Sequence, residues 1–293
     1  MKMKKAFTLV ELLVVIGIIA ILASVLFVSM NNGTDSAKAA KCMSNLRNLA
    51  AGCTSYAMRN LHYPLATSIT YTYVDESQGI QNAQVMEGEK RGWISWKNKG
   101  SYANIYGTND DEQLYCITNG TMYNCIGENL DVYICPSHRR LAQSAGKKPW
   151  WSYEMSGYFG GDVAMEGKTV DDDYSGVNQS KLKLADRRLL FTEVPFTNQS
   201  VANKDAVSLE VSKDEYCDTA VQYEDLSGCS GMEEAITFNH RSGKKRCANI
   251  AFADGHVEKL MQPKSGNLVE LMSWLCKGKD LTFNGDSYDK LDD

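Results

Sequence analysis

Hydrophobic residues follow two different patterns in the first sixty positions. Residues 7–30 form an apolar run of 24 residues in which Glu11 is the only ionisable side chain. A helix of this length spans roughly 36 Å, which exceeds the ~30 Å of a bilayer core. From residue 36 to 60 the apolar positions instead recur every three or four residues, as on one helix face: Cys42, Leu46, Leu49, Cys53 and Ala57. The pattern predicts a transmembrane helix followed by an amphipathic helix.

Residues 31–36 separate these two segments with the polar sequence NNGTDS. Asparagine and glycine weaken a helix, while Thr34, Asp35 and Ser36 are good helix N-caps. We therefore expect the helix to be broken or loosened here, with a second helical pattern over about 36–60 as the amphipathic half of the long N-terminal helix.

The rest of the chain alternates short apolar runs with turn residues. These runs predict strands over 68–74, over 130–136 ending at Pro136, and over 187–194, with a polar insertion at 200–235. No linker divides the chain, so residues 31–293 form one head. The fold class is α+β, with a long N-terminal helix packed on an antiparallel β-sheet.

Two further elements are predicted near the C-terminus. Asp254-Gly255 lies between two alternating runs, which favours a β-hairpin with a type I′ turn. A last helix is predicted at about 266–277, with Leu268, Leu271, Met272 and Leu275 on one face.

Charge narrows the classes of partner. The net charge is −5 and no basic patch dominates, which argues against nucleic acid as a partner. Lys2, Lys4 and Lys5 precede the apolar run, so the positive-inside rule places the N-terminus in the cytoplasm. Everything after residue 30 then lies across the membrane.

The sequence KAFTLVE, from Lys5 to Glu11, resembles the cleavage and methylation signal of type IV pilins and type II secretion pseudopilins. The resemblance implies that residues 1–6 are a leader cut by a prepilin peptidase between Ala6 and Phe7. The new amine of Phe7 would be N-methylated. Glu11 would pair with the N-terminus of a neighbouring subunit, because a buried carboxylate is tolerated only with a partner.

The head resembles a group of pseudopilin-like proteins through three short motifs: AKCMSNLR at 40–47, YICPS at 133–137, and FNHR at 238–241 followed by FADGHV at 252–257. The combined resemblance implies a structural subunit of a homo- or hetero-polymeric pilus or pseudopilus. It implies an inner-membrane protein with a periplasmic head, or a cell-surface location after assembly. Neither a catalytic residue nor a cofactor is implied.

Nine cysteines suggest an oxidising compartment and disulfides. Cys42 and Cys53 lie roughly 16 Å apart along an intact helix, which is beyond disulfide reach. Candidate pairs are Cys42–Cys135, Cys116–Cys125 and Cys217–Cys229. Sequence does not determine the connectivity, so these pairs stay alternatives.

Other candidate sites have simpler structural explanations. His240, Asp254 and His256 carry metal-binding groups, but Asp254 and His256 also suit the predicted turn. The acidic stretches 171–173 and 284–289 offer calcium ligands without EF-hand spacing. We therefore expect no bound metal.

Aromatic side chains leave one alternative function open. Trp93, Trp96, Trp150, Trp151 and Tyr153 could form a glycan platform, although aromatic clusters more often belong to a core. The alternative to a pilin-like subunit is therefore a membrane-anchored surface or glycan-binding protein that uses a pilin-type signal.

Overall fold

The computed structural model describes residues 9–66, 69–75, 79–85, 92–95, 110–144, 150–159, 177–193, 220–221, 236, 238–243, 245–263, 271, 275, 281–284 and 287–290. Its helices are α1 Leu9–Asn60, α2 Asp110–Thr118 and α3 Pro136–Ser144. Its strands are β1 Ile69–Asp75, β2 Gly79–Val85, β3 Tyr153–Ser156, β4 Leu189–Glu193, β5 Ala220–Val221, β6 His240–Ser242, β7 Lys245–Phe252, β8 Val257–Met261, β9 Leu281–Asn284 and β10 Ser287–Lys290. The fold is thus α+β with a long N-terminal helix, as the sequence predicts.

Helix α1 continues through residues 31–36, so the sequence NNGTDS does not interrupt the long N-terminal helix. A glycine inside a helix costs only about 1 kcal/mol, whereas a break would expose unsatisfied backbone groups at two new helix ends. Asp35 also forms an ion pair with Lys38 one turn later, with 3.6 Å between Oδ1 and Nζ. The cap-forming residues therefore lie inside one helix of 52 residues.

Within the described residues, no helix combines the length and the apolar composition needed to cross a membrane. The transmembrane helix expected over residues 7–30 stays a prediction.

The main sheet has six strands in the order β5-β3-β4-β7-β6, with β8 also paired to β7. Every pair is antiparallel except β3 with the two-residue strand β5. Two separate antiparallel pairs, β1–β2 and β9–β10, complete the described strands.

Strands β4 and β6 lie end to end along one edge of β7. Ile250 pairs with Thr192 of β4 on one side and with β8 on the other. Cys247 pairs with His240 of β6 on one side and again with β8 on the other. A strand has only two edges, so β8 fills one while β4 and β6 share the second. The C-terminal end of β4 therefore faces the N-terminal end of β6.

Helix α1 packs across this part of the sheet through its predicted apolar face. Its stripe residues are fully buried: Cys42, Leu46, Leu49, Cys53 and Ala57. The helix contacts β4, β6, β7 and α3. Burial of each leucine stabilises the fold by about 1.5–3 kcal/mol, so this face fixes the helix on the sheet.

The strand predicted over 130–136 is wrong. Residues Leu130–Tyr133 form a 3-10 helix, and Pro136 begins α3. The Asn129 side chain accepts a hydrogen bond from the backbone N–H of Asp131 at 3.0 Å, which caps the 3-10 turn. Proline suits the first position of a helix because it has no N–H to leave unsatisfied.

Other predicted elements are found. Strand β1 lies at the run predicted over 68–74, and β4, buried at every position, lies at the run predicted over 187–194. Leu271 and Leu275 are helical and buried, in agreement with the predicted last helix; Leu268 and Met272 lie outside the described residues.

The β7–β8 hairpin is confirmed, but its turn is not of type I′. That type requires positive φ at both central residues, whereas of Asp254 and Gly255 only the glycine has a positive φ, of 94°. The turn is closed by the Gly255 N–H, which donates to the Phe252 carbonyl at 2.9 Å.

Candidate functional site

The first turns of α1 carry a largely solvent-exposed apolar surface. Large hydrophobic side chains from residue 9 to 22 are exposed, with Leu9 at 79% and Ile21 at 66%. Exposure of so many apolar residues indicates an interaction surface for a membrane or for other protein chains. Glu11 lies in the first turn of this segment, while Ala6 and Phe7 lie outside the described residues.

A second candidate site is buried between α1 and the sheet. Cys42, Cys135, Glu193 and His240 bring their ligand atoms within 4.8 Å of one another. The Cys42 thiol donates to Glu193 Oε1 at 2.9 Å, and His240 Nε2 lies 3.0 Å from the same oxygen. Cys135 Sγ lies 3.6 Å from His240 Nε2. We call these four residues the buried cluster.

The fold brings these residues together from four distant positions in the chain. Cys42 belongs to the buried stripe of α1, and Cys135 immediately precedes α3. Glu193 ends β4 and His240 begins β6. Because those two strands share one edge of β7, their facing ends place the carboxylate beside the imidazole.

Burial and proximity shift the pKa values of the charged pair. Burial alone lowers the pKa of His240, but the Glu193 carboxylate and the Cys135 side chain outweigh it and raise this pKa to about 11. Burial conversely raises the pKa of Glu193, and the His240 imidazolium outweighs that effect, so the pKa is lowered. The pair is therefore an ion pair at neutral pH.

The two thiols differ in their surroundings. Burial raises the pKa of Cys42 well above its usual value, and the neighbouring Glu193 carboxylate acts in the same direction. Burial also acts to raise the pKa of Cys135, but hydrogen bonding from Cys42 and His240 outweighs it, so this pKa is lowered. Cys135 is thus the more readily ionised thiol of the two.

Polar side chains around the cluster hold it in position. Ser137 Oγ lies 3.3 Å from His240 Nδ1, within hydrogen-bond distance. The Asn45 amide donates to the carbonyl of Ile134, beside Cys135, at 2.9 Å. Asn45 lies about one helical turn after Cys42, so it links α1 to the chain that carries the second cysteine.

Several sites considered from the sequence are arranged differently. His240 joins the buried cluster, whereas His256 bonds to Asp254 within the hairpin turn. All cysteines within the described residues have free thiols, so neither Cys42–Cys135 nor Cys116–Cys125 is bonded. The Cys217–Cys229 pair lies outside the described residues.

The described aromatic candidates lie mostly in the core, and the calcium candidates stay untested. Trp93, Trp151 and Tyr153 are buried in the core, and Trp93 stacks on Tyr133 with 5.7 Å between ring centroids. Residues 171–173 and Trp96 lie outside the described residues. Asn284 and Asp289 belong to β9 and β10.

Glu193 is the residue of the cluster that sequence analysis did not single out. The available signal was a carboxylate at the end of a strand whose other residues are mostly apolar, LLFTE. Such a charge needs a buried partner, but the sequence does not indicate which one.

Comparisons with known proteins identify the N-terminal signal. Residues 1–27 match the model of the prokaryotic N-terminal methylation motif, which is the signal of type IV pilins and pseudopilins. No curated protein and no solved structure matches the chain. The resemblance of the head to the pseudopilin-like group stays a prediction.

Proposed function

We propose that this protein, which carries the N-terminal methylation motif, is a structural subunit of a type II secretion pseudopilus or a related pilus. A prepilin peptidase cuts it between Ala6 and Phe7 and the Phe7 amine is methylated. Residues 7–30 anchor the subunit in the inner membrane until assembly, with the head in the periplasm. The methylation motif over residues 1–27 is the observation that carries the proposal.

The exposed apolar side chains of residues 9–22 support assembly through this segment. Leu12, Leu13 and Val14 are all at least half exposed, and successive residues point about 100° apart around the helix, so these three lie on different sides of it. An apolar surface all round a helix is satisfied by lipid or by neighbouring helices on every side. In the bilayer, lipid surrounds the helix on every side. In an assembled polymer, the apolar helices of neighbouring subunits do the same.

Glu11 has a specific role in this assembly. Its carboxylate, in the first turn of α1, pairs with the methylated amine of Phe7 on a neighbouring subunit. Pairing offsets the desolvation that makes a lone buried charge unfavourable. The role is structural rather than catalytic.

The glycan-binding alternative loses its main support because Trp93, Trp151 and Tyr153 are buried.

The proposal is tested by mass spectrometry of the mature protein and by assembly of Glu11 variants. We expect the mature chain to begin at N-methylated Phe7. Glu11→Ala keeps this processing but loses ordered polymers, detected by cross-linking between subunits. Val10→Ala, a neighbouring exposed position without charge, is the control and assembles normally. An intact Met1–Ala6 segment, or normal assembly of Glu11→Ala, contradicts the proposal.

A further inference from the structure

The buried cluster has the chemistry of a transition-metal site. Its donors are two sulfurs, one imidazole nitrogen and one carboxylate oxygen, all on buried side chains. Thiolate and imidazole ligands favour zinc and other borderline-soft divalent ions over calcium or magnesium. Four protein ligands complete a tetrahedral shell, which is typical of structural rather than catalytic zinc sites.

The spacing of the donor atoms is already close to that of such a shell. Bonds of about 2.0–2.3 Å place tetrahedral ligands roughly 3.3–3.8 Å apart. The donor distances through Glu193 Oε1 and His240 Nε2 are 2.9, 3.0 and 3.6 Å, and no pair exceeds 4.8 Å. Small side-chain movements therefore suffice to admit an ion between the four groups.

Hydrogen bonding alone satisfies the cluster incompletely. Glu193 Oε1 serves both Cys42 and His240, whereas Glu193 Oε2 is buried and has no hydrogen-bond partner within the described part of the chain. A buried carboxylate oxygen without a partner is costly. A cation held between the donors can supply the partner that hydrogen bonds do not give this carboxylate.

A second layer of contacts matches what metal-ligating side chains require. His240 points Nε2 at the other three donors, while its Nδ1 lies 3.3 Å from Ser137 Oγ. Metal-bound histidines nearly always use their second ring nitrogen for such a hydrogen bond, which fixes the ring orientation. Asn45 holds the carbonyl of Ile134 and so the backbone that leads into Cys135.

We propose that Cys42, Cys135, Glu193 and His240 bind one divalent transition-metal ion, zinc in the first place, as a structural site. The ligand atoms are both Sγ atoms, a Glu193 carboxylate oxygen and His240 Nε2. On binding, both thiols and the imidazolium release their protons to solvent, and no electron is transferred. The ion joins α1 to the start of α3 and to the meeting ends of β4 and β6.

A Cys42–Cys135 disulfide is the competing outcome, because the two thiols are neighbours. It would use two of the four donors and leave Glu193 Oε2 without a partner, whereas the metal uses all four groups. The two states exclude each other, since a disulfide sulfur is not a thiolate ligand.

The test measures metal content of the full-length protein, purified in detergent after growth with zinc. We expect about one zinc per chain, as four ligands define one tetrahedral site. Removal of even a second-layer partner costs 10–100-fold in affinity, so Cys135→Ser and Glu193→Gln lower zinc affinity at least about tenfold. Cys125→Ser and His256→Gln, which lie outside the cluster, are matched controls and keep the zinc.

Cobalt(II) titration of the wild-type protein supplies a readout that does not depend on variant folding. Thiolate-to-cobalt charge transfer and tetrahedral ligand-field bands are expected, and Cys135→Ser weakens the charge transfer while Cys125→Ser does not. Wild-type protein without zinc that also gives no cobalt bands overturns the proposal. An intact mass lower by two hydrogen atoms, with the Cys42 and Cys135 peptides linked, overturns it in favour of the disulfide.

Discussion

Two buried tyrosines show how strongly the role of a residue depends on its immediate partners. The Tyr133 hydroxyl is buried and has no hydrogen-bond partner among the described residues, and burial raises its pKa. The Tyr153 hydroxyl instead accepts a hydrogen bond from the Asn45 amide at 3.4 Å. The hydroxyl of Tyr133 therefore lowers the stability of the fold, whereas the hydroxyl of Tyr153 contributes to it.

We expect Tyr133→Phe to stabilise the protein by about 1 kcal/mol, because it removes an unsatisfied buried hydroxyl and keeps the ring. Tyr153→Phe, the matched control, should destabilise it by about the same amount through loss of a made hydrogen bond. The midpoint of thermal unfolding of the full-length chain measures both, with shifts of roughly 2–4 °C in opposite directions. Equal shifts of the unfolding midpoint for the two variants would contradict the view that only the Tyr153 hydroxyl forms a stabilising hydrogen bond.

Individual helices and strands can be predicted from local sequence patterns. Contacts between elements that lie far apart in the chain cannot. The buried stripe of α1 follows from helical periodicity, and β4 follows from a short apolar run. Residues 130–136 were misassigned because the Asn129 cap and Pro136 outweigh a strand-like composition. The meeting of Glu193 with His240 depends on two strands sharing an edge of β7, which no local pattern indicates.

Close approach between two backbone segments also explains why residue 120 is a glycine. A Cβ atom on Gly120 would clash with the Trp93 carbonyl oxygen and lie 2.9 Å from Ile94 Cα, both of them backbone atoms. A Cβ on Gly52 of α1 would instead meet side-chain methyl groups, Ile126 Cγ2 at 2.6 Å and Met122 Cε at 2.7 Å. Backbone atoms cannot move aside as side-chain ends can.

Gly120→Ala should therefore destabilise the head by about 3 kcal/mol, near the upper end of overpacking effects. Gly52→Ala should cost clearly less, because side chains yield and alanine gains about 1 kcal/mol of helix propensity. Chemical denaturation of the two variants beside the wild type gives the comparison. A larger loss for Gly52→Ala would show that the side chains beside α1 are held more rigidly than the backbone near Trp93.

For the whole molecule, the two halves of α1 serve different purposes. Among the helix side chains that the structure describes, the first buried one is Ala39, whereas the large hydrophobic residues from 9 to 22 are exposed. The Asn249 amide also donates to the Ala39 carbonyl at 3.4 Å, which anchors the helix to β7 at this point. The head therefore gains its packing from the second half, and the first half is available for assembly.

Deletion of residues 1–33 should leave the head folded and remove membrane association and polymer formation. The reason is that the described core contacts of α1 start at Ala39. Circular dichroism and sedimentation of the truncated chain measure folding and oligomeric state, and flotation with lipid vesicles measures membrane binding. Loss of folded structure would mean that the N-terminal half also supports the head.

The shared edge of β7 has a consequence for how this protein can diversify. The chain leaves the edge of β7 at Glu193 and returns to it at His240, with 3.0 Å between Glu193 Oε1 and His240 Nε2, and in between it adds the short strand β5 beside β3. An excursion that starts and ends at one point can change in length at little entropic cost, about 0.6 kcal/mol for each doubling. The segments before and after β5 are thus permissive positions for insertions, provided that Ala220–Val221 keep their pairing with β3.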